Sequence, residues 1–263
     1  MYNVGIGFNA GQQITTGTHN TIMGGIAGDA LTTGQANVVI GYAAGSVGDN
    51  WSRCVAIGRA ALGNHNPSGT TAAVTANVAI GYDSLTTCNT GTNNTAIGYQ
   101  SGQRLQGGDN NVFVGLQSGD NIVAGDNNVA VGKHSLHGVA GSLNTAIGES
   151  AGVGVTGSTN TLVGAGAGSN GSFSGSGNTF MGRNAGSAVT SGSNNIFIGN
   201  AVGPAAAGQN NGIGLGVSIA AAANDFTFGK SGASATCDFD ADAVFTHSSD
   251  LRLKTNIADA VLG

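Results

Sequence analysis

Lys and Arg together number only eight in 263 residues, against thirteen Asp and Glu, and nowhere do they cluster. A net charge of −5 with no basic patch argues against a surface that tracks a phosphate backbone, so no nucleic-acid partner is expected. Long apolar runs are missing as well. No stretch approaches the roughly eighteen residues that a membrane-spanning helix needs. The opening "MYNVGIGFNAG" carries no basic segment ahead of an apolar one, so no secretory signal is read. The expectation is that the protein leaves its cell without a signal peptide, or that Met1 begins a fragment. The three cysteines, Cys54, Cys88 and Cys237, are odd in number and irregularly spaced; they make neither a disulfide framework nor a CxxC metal site and read as buried free thiols. Aromatics are 5% of the chain, too few to supply most of a core. No Ser-His-Asp order, carboxylate pair or phosphate loop is supported, so neither an enzyme nor a cofactor is expected.

What the chain has in excess is glycine, 48 residues of it. A glycine-rich, charge-poor sequence is ordinarily disordered because it buries too little apolar surface to offset the entropy of ordering. Repetition is the way out, since each unit then buries its face on the next. The motif Asn-x-apolar-apolar-Gly recurs twelve times, as in "NTIMG" (20–24), "NVAIG" (77–81), "NVFVG" (111–115) and "NIFIG" (195–199), with "CVAIG" (54–58) as the variant lacking Asn. Its closing glycines are separated by 17, 17, 17, 23, 17, 17, 17, 16, 16, 18 and 17 residues. A fixed short period of this kind specifies a solenoid with one coil per repeat.

Seventeen residues are too few for two helices and suit two short strands joined by turns. In the first strand the second and fourth motif positions share a face and the third points the other way. All three are apolar in most copies, and a strand apolar on both faces is buried on both. A thin solenoid buries only its inner face, so the other asks for a second copy of the chain. Phe113, Phe180 and Phe197 are the largest third-position candidates for packing between chains. The second element follows each glycine in the form x-x-Ala/Ser-Gly/Leu, as in "YAAG", "YQSG" and "KHSL", and its small third position fits a cramped interior. The recurring Asn either bonds its own turn or forms an amide ladder from coil to coil. Eleven steps of about 4.8 Å make a stiff rod about 53 Å long.

Irregularities mark candidate sites. The 23-residue step contains "GNHNPSGTTAAVTA" (63–76), an insertion that must leave the coil as a loop. Trp51 and Arg53 lie one coil earlier; with His65 and Asn66 they form a candidate binding group, an exposed Trp being suited to sugars. "KHSLH" places His134 and His137 together without a partnering carboxylate or Cys, so they are read as surface residues and no metal is expected.

The repeat ends near Ala201, and 204–248 reads as a β junction in which "DFTFG" and "CDFDADAVF" alternate apolar with polar. The "NTAIGxxS/AG" pattern over residues 3–203 is similar to the head repeats of trimeric autotransporter adhesins and to repeats of bacteriophage tail fibres, which implies a homotrimeric β-roll. "SSDLRLKTNI" resembles the start of the self-cleaving intramolecular chaperone at the C-terminus of phage endosialidases and tail fibres. The resemblance implies cleavage between Ser249 and Asp250, with Ser249 attacking on its own carbonyl side and Lys254 assisting proton transfer. That chaperone is domain-sized, whereas fourteen residues follow Ser249, so 249–263 reads as the beginning of a longer domain.

The sequence therefore leads to an all-β fold, a homotrimeric β-solenoid shaft over 1–203 with ~17-residue coils, a β junction over 204–248 and the start of a chaperone over 249–263. The expected role is the shaft or receptor-binding part of a phage tail fibre or tail spike, extracellular on the virion, whose partners are its own copies and a glycan or protein of the host surface. A trimeric bacterial surface adhesin head is the alternative, and an ice-binding solenoid a remote one.

Overall fold

The computed structural model describes residues 2–67, 73–138, 141–240 and 245–247. Each repeat contributes one three-residue strand, from Val4–Ile6 and Thr21–Met23 through to Ile196–Ile198. Successive strands pair in parallel and in strict register, Val4 with Thr21 and Gly5 with Ile22 in the first step, Thr179 with Ile196 and Phe180 with Phe197 in a late one. The parallel ladder then runs through Ile213–Val217 to Asp225–Lys230. It closes with two antiparallel strands, Ala233–Asp238 and Phe245–His247, giving one sheet of sixteen strands. No helix occurs among the described residues.

The second element of each coil is a turn and not a strand. Its second residue adopts a left-handed conformation, with φ +54° at Asn9, +54° at Gln100 and +56° at His134. An extended strand does not pass through such a residue. The chain therefore reverses where small side chains had read as a second strand, and the Ala or Ser that follows is tucked under the sheet. Ala27, Ala44, Ser84, Ser101 and Ala151 are all fully buried there.

The two faces of the strand are also exchanged relative to the expectation. The third motif position points into the coil: Ile22, Val39, Ala56, Phe113, Leu162, Phe180 and Phe197 are buried by their own chain. Phe113, Phe180 and Phe197 are thus core residues, and the outward-facing positions are the second and fourth. Phe180 and Phe197 stack at 5.3 Å and 6° within the core. Alternation requires the two sets to oppose each other, but both are apolar, so periodicity alone does not say which is inside.

Interior volume is shared between strand and turn. Where the strand supplies Phe113, the turn supplies Gly119, whose hypothetical Cβ would lie 2.5 Å from the Phe113 ring. Where strands supply only Ala56, Ala79 or Ala130, the matching turn residues are Leu62, Leu85 and Leu136, all fully buried. Gly102 stands opposite Ala96, and its space is filled from neighbouring coils by Leu85 and Phe113. The narrow coil reaches close packing by trading bulk between two positions six residues apart.

Buried asparagines form the expected ladder. Asn111 is typical: its Oδ1 accepts from the Asn128 backbone N–H at 2.9 Å, and its Nδ2 donates to Gly125 O at 2.7 Å and Asn94 Oδ1 at 3.0 Å. A second ladder, two residues earlier in the coil, was not read from the sequence. Here backbone N–H groups donate to side-chain oxygens of the next coil, Thr92 to Asp109 (2.6 Å), Asp109 to Asp126 (2.8 Å), Asp126 to Ser142 (3.0 Å) and Ser142 to Ser158 (3.1 Å). Any short side chain with an acceptor oxygen serves, so the column shows no single recurring residue.

At the end of each strand a glycine turns the chain with φ between +125° and +138° from Gly7 to Gly199. This region is sterically open essentially to glycine alone. A Cβ on Gly115 would also lie 2.7 Å from the carbonyl oxygen of Gly132 in the next coil. Gly115→Ala is expected to cost at least about 3 kcal/mol in denaturant unfolding, whereas Gly203→Ala, whose Cβ would meet nothing within 4 Å, is expected to be nearly neutral. Asn111→Ala strips partners from the buried Asn128 N–H and Gly125 carbonyl and is expected to cost about 2–4 kcal/mol in the same measurement.

Candidate functional site

Two features stand out against the regular coil: an apolar outer face along its length, and a local rearrangement at the 23-residue step. The outer face is built by the second and fourth strand positions. From Val4 and Ile6 to Ile213 and Leu215 every one of these residues is Val, Ile, Met, Leu or Thr, and none is charged. The most accessible of them, among them Ile6, Met23, Ile97, Ile147 and Met181, are 39–54% exposed. Beside them runs a column from the position after each glycine, where Phe8, Tyr42, Tyr82, Tyr99 and Leu116 are also exposed. Tyr82 and Tyr99 stack at 5.2 Å, and Arg59 lies 5.1 Å over the Tyr82 ring while donating to its hydroxyl at 2.8 Å. Thirteen strands at about 4.8 Å give this strip a length of about 58 Å.

The rearrangement begins where Cys54 takes the place of the ladder Asn. Its backbone N–H still donates to Asn37 Oδ1 at 2.9 Å, and its Sγ accepts from the Asn77 N–H at 3.3 Å. Thr75 Oγ1 lies 3.0 Å from that sulfur and 2.9 Å from His65 Nε2, while His65 Nδ1 lies 2.7 Å from the Cys88 carbonyl. A carbonyl only accepts, so Nδ1 carries the proton. In the neutral ring Nε2 then accepts from the Thr75 hydroxyl, and the Cys54 thiol has Thr75 Oγ1 and, at 3.6 Å, the Ser52 carbonyl as acceptors. The insertion thus supplies the polar partners that the missing amide would have provided. The Trp51 ring closes over the cluster 6.1 Å from His65, donating its Nε1–H to Gly48 O at 3.2 Å.

The predicted binding group is therefore split. Trp51 and His65 are fully buried, which corrects the expectation of an exposed Trp available to sugars: the coil needs the bulk of the indole where Val39 and Gly45 leave space beside it. Arg53 and Asn66 remain at the surface. Residues 68–72 of the insertion lie outside the described residues, as do Ser249, Asp250 and Lys254. A recess of about 290 Å³ opens beside the cluster, lined by Gln35, Ala36, Ser52, Arg53 and Val74. Gln35 and Val74 carried no sequence signal, because only coil stacking brings them to Arg53.

His134 and His137 form a second polar corner, with ring centroids 5.8 Å apart. Each is held by a neighbouring side chain. His134 Nε2 donates to Gln117 Oε1 at 2.8 Å, and Gln117 Nε2 donates to Gln100 Oε1 at 2.9 Å. His137 Nε2 accepts from Asn121 Nδ2 at 3.1 Å, with Asp120 Oδ2 at 3.8 Å. Partial burial, followed by the charge of Lys133 and the neighbouring His137, holds the His134 pKa below its usual value. No group of three or more His, Cys, Asp or Glu side chains suited to a metal ion occurs among the described residues. Nor is any helix there long and apolar enough to cross a membrane.

No protein-family model, curated protein or solved structure matches this chain.

Burial sets the chemistry of the Cys54 cluster. It pushes the Cys54 thiol up to about 11 against the bonds from Thr75 and Asn77. Cys88 is pushed up to about 12 by burial and then by Cys54. These thiols are inert. Both are expected to escape a thiol reagent at pH 8 in the native protein and to react once it is denatured, as read by mass spectrometry of the labelled peptides. Burial also lowers the His65 pKa below its ordinary 6.5, against the pull of the Cys88 carbonyl. Below pH 6.5 the unfolded chain takes up a proton that the folded chain refuses. The His65 contribution to stability is expected to fall from there down through its folded pKa and then level off. Thermal midpoints of wild type and His65→Gln between pH 7.5 and about pH 5 check it: the decline should be shallower in the variant.

Proposed function

We propose that the chain is the β-solenoid shaft of a homotrimeric phage tail fibre or tail spike, serving attachment to the host-cell surface. The observation that carries the self-association is the uncharged outer face. Monomeric proteins rarely leave a contiguous apolar strip of this length open to water. Three copies related by a common axis bury it while keeping all three chains running in one direction, as a shaft that continues into a shared end must. The strands are short and strictly in register, so a partner meets one pair of outer side chains every 4.8 Å or so and a long interface is assembled from small identical steps.

The resemblance of the repeats to adhesin heads and tail-fibre repeats supports the number three. The resemblance at Ser249, Asp250 and Lys254 favours the phage reading over the bacterial adhesin, because a chaperone released by its own cleavage belongs to a shaft that must trimerise before it is stable. In this reading the chain is not an enzyme toward other molecules, and its partners are its own copies and a host-surface glycan or protein. The ice-binding alternative loses support from the outer face, where Thr alternates irregularly with Val and Ile along the second position.

Light scattering of the purified chain is expected to give three times the monomer mass of 25.5 kDa. Ile97→Lys, at an exposed outer position, is expected to dissociate the trimer with the β signature of the circular dichroism retained, whereas Ala96→Lys, at the inner position beside it, is expected to abolish folding. A stable wild-type monomer overturns the trimer. Failure of the wild-type trimer to bind intact bacteria of any strain on which the parent phage grows overturns the attachment role.

A further inference from the structure

Arg53 occupies an unusual place in the column of left-handed residues that precede each ladder position. Its neighbours along the rod are Ala36 in the coil before and Ala76 in the coil after, so a long cationic side chain stands between two methyl groups. It forms no ion pair among the described residues, although Lys133 is paired with Glu149 and Arg59 is held by Tyr82. The recess around it is made by three consecutive coils. Gln35 and Ala36 form one wall, Ser52 and Arg53 the floor, and Val74, 54% exposed and register partner of Ser52, the other wall. The floor is rigid: Ser52 Oγ accepts from the Gln35 N–H at 2.9 Å, and the Arg53 N–H donates to Gln35 O at 2.9 Å. Ser52 is thereby used up as a support, which leaves the Gln35 amide, the Arg53 guanidinium and the Val74 methyls to meet a ligand.

We infer that this recess takes one carboxylate-bearing pyranose ring of an acidic polysaccharide. Its choice of ligand rests on Arg53, and its biological sense rests on the attachment reading above. A guanidinium fork matches a carboxylate with two parallel N–H donors. The amide beside it offers a donor and an acceptor to ring hydroxyls, and Val74 presents an apolar wall to the C–H face of the sugar. A volume of about 290 Å³ lies at the small end of ligand sites and suits a single ring. One such open site binds weakly. Three copies per trimer along a repeating polymer convert weak single-site binding into stable attachment, because the second and third contacts are intramolecular.

The test uses the full chain and three free probes, tetragalacturonate, the neutral maltotetraose and a tetra-glutamate peptide of matching charge, followed by saturation-transfer and titration NMR. Tetragalacturonate is expected to bind and maltotetraose not. Arg53→Asn removes the charge while tolerating the left-handed backbone, and is expected to weaken uronate binding at least tenfold with an unchanged thermal midpoint. Val74→Asp places a second negative charge against the carboxylate at an exposed position and is expected to abolish binding. Equal binding of the neutral sugar, preference for the peptide, or undiminished affinity in Arg53→Asn overturns the inference. Because the probes are free in solution, failure of tetragalacturonate to bind a wild type that still binds cells sinks the acidic-sugar assignment alone, whereas loss of cell binding by the wild type sinks the attachment reading.

Discussion

Neighbouring coils meet backbone on backbone where the glycine that ends each strand lies under the same glycine of the coil before it. A side chain there would meet a carbonyl oxygen of the next coil, and φ near +130° would exclude it a second time. Removing every Cβ from that column lets the chain turn sharply and still stack at strand spacing. Once the spacing is fixed at one edge, each coil lies directly over the last. The sheet register, the asparagine ladder and the second side-chain ladder all follow from that superposition, because each needs a partner one coil away at hydrogen-bond distance.

Within this frame the chain satisfies itself by local exchange. Bulk lost from a strand position returns at the turn, as Leu85 and Leu136 do beside the alanine strands and as Gly119 and Gly186 do in reverse beside Phe113 and Phe180. The one rung without asparagine is repaired in the same manner. Cys54 keeps the backbone bonds of the ladder, and the inserted residues bring Thr75 to the sulfur and His65 to Thr75. An insertion that looks like a surface loop is therefore partly a core element, and the substitution and the insertion are two halves of one solution.

What remains unsatisfied lies outside. Most interior polar groups are bonded along the rod, Asp29 Oδ1 and Thr33 Oγ1 being exceptions, while the outer strand face has apolar columns only partly covered by their own chain. Charge is sparse along the rod and absent from the outer strand face; its contacts include Lys133 with Glu149, Asp120 with His137 and Arg59 on Tyr82, while Arg53 lines its recess without an ion pair among the described residues. The proposed shaft would use this division of surface, with one face for its own copies and isolated polar points for whatever the rod touches.

The sequence by itself determined the solenoid, its period, a structural role for the recurring asparagine and the cramped Ala/Ser position, because each of these recurs at fixed spacing and recurrence survives without knowing the third dimension; that the asparagines form a ladder and do not bond their own turns was decided by the stacking. The sequence did not determine which strand face is inside. Phe113, Phe180 and Phe197 are apolar opposite residues that are also apolar, and alternation separates two such faces without ranking them. Nor did it show that the second element is a turn, since a left-handed Gln100 or His134 carries no compositional mark. Trp51 and His65 read as surface groups because one lies a coil before an insertion and the other within it, whereas the cavity that takes them exists only when Gly45, Cys54 and Thr75 are stacked. Tertiary structure alone decided the recess at Arg53. Gln35 and Val74 stand 18 residues before it and 21 after it along the chain, and only the superposition of coils turns that separation into contact.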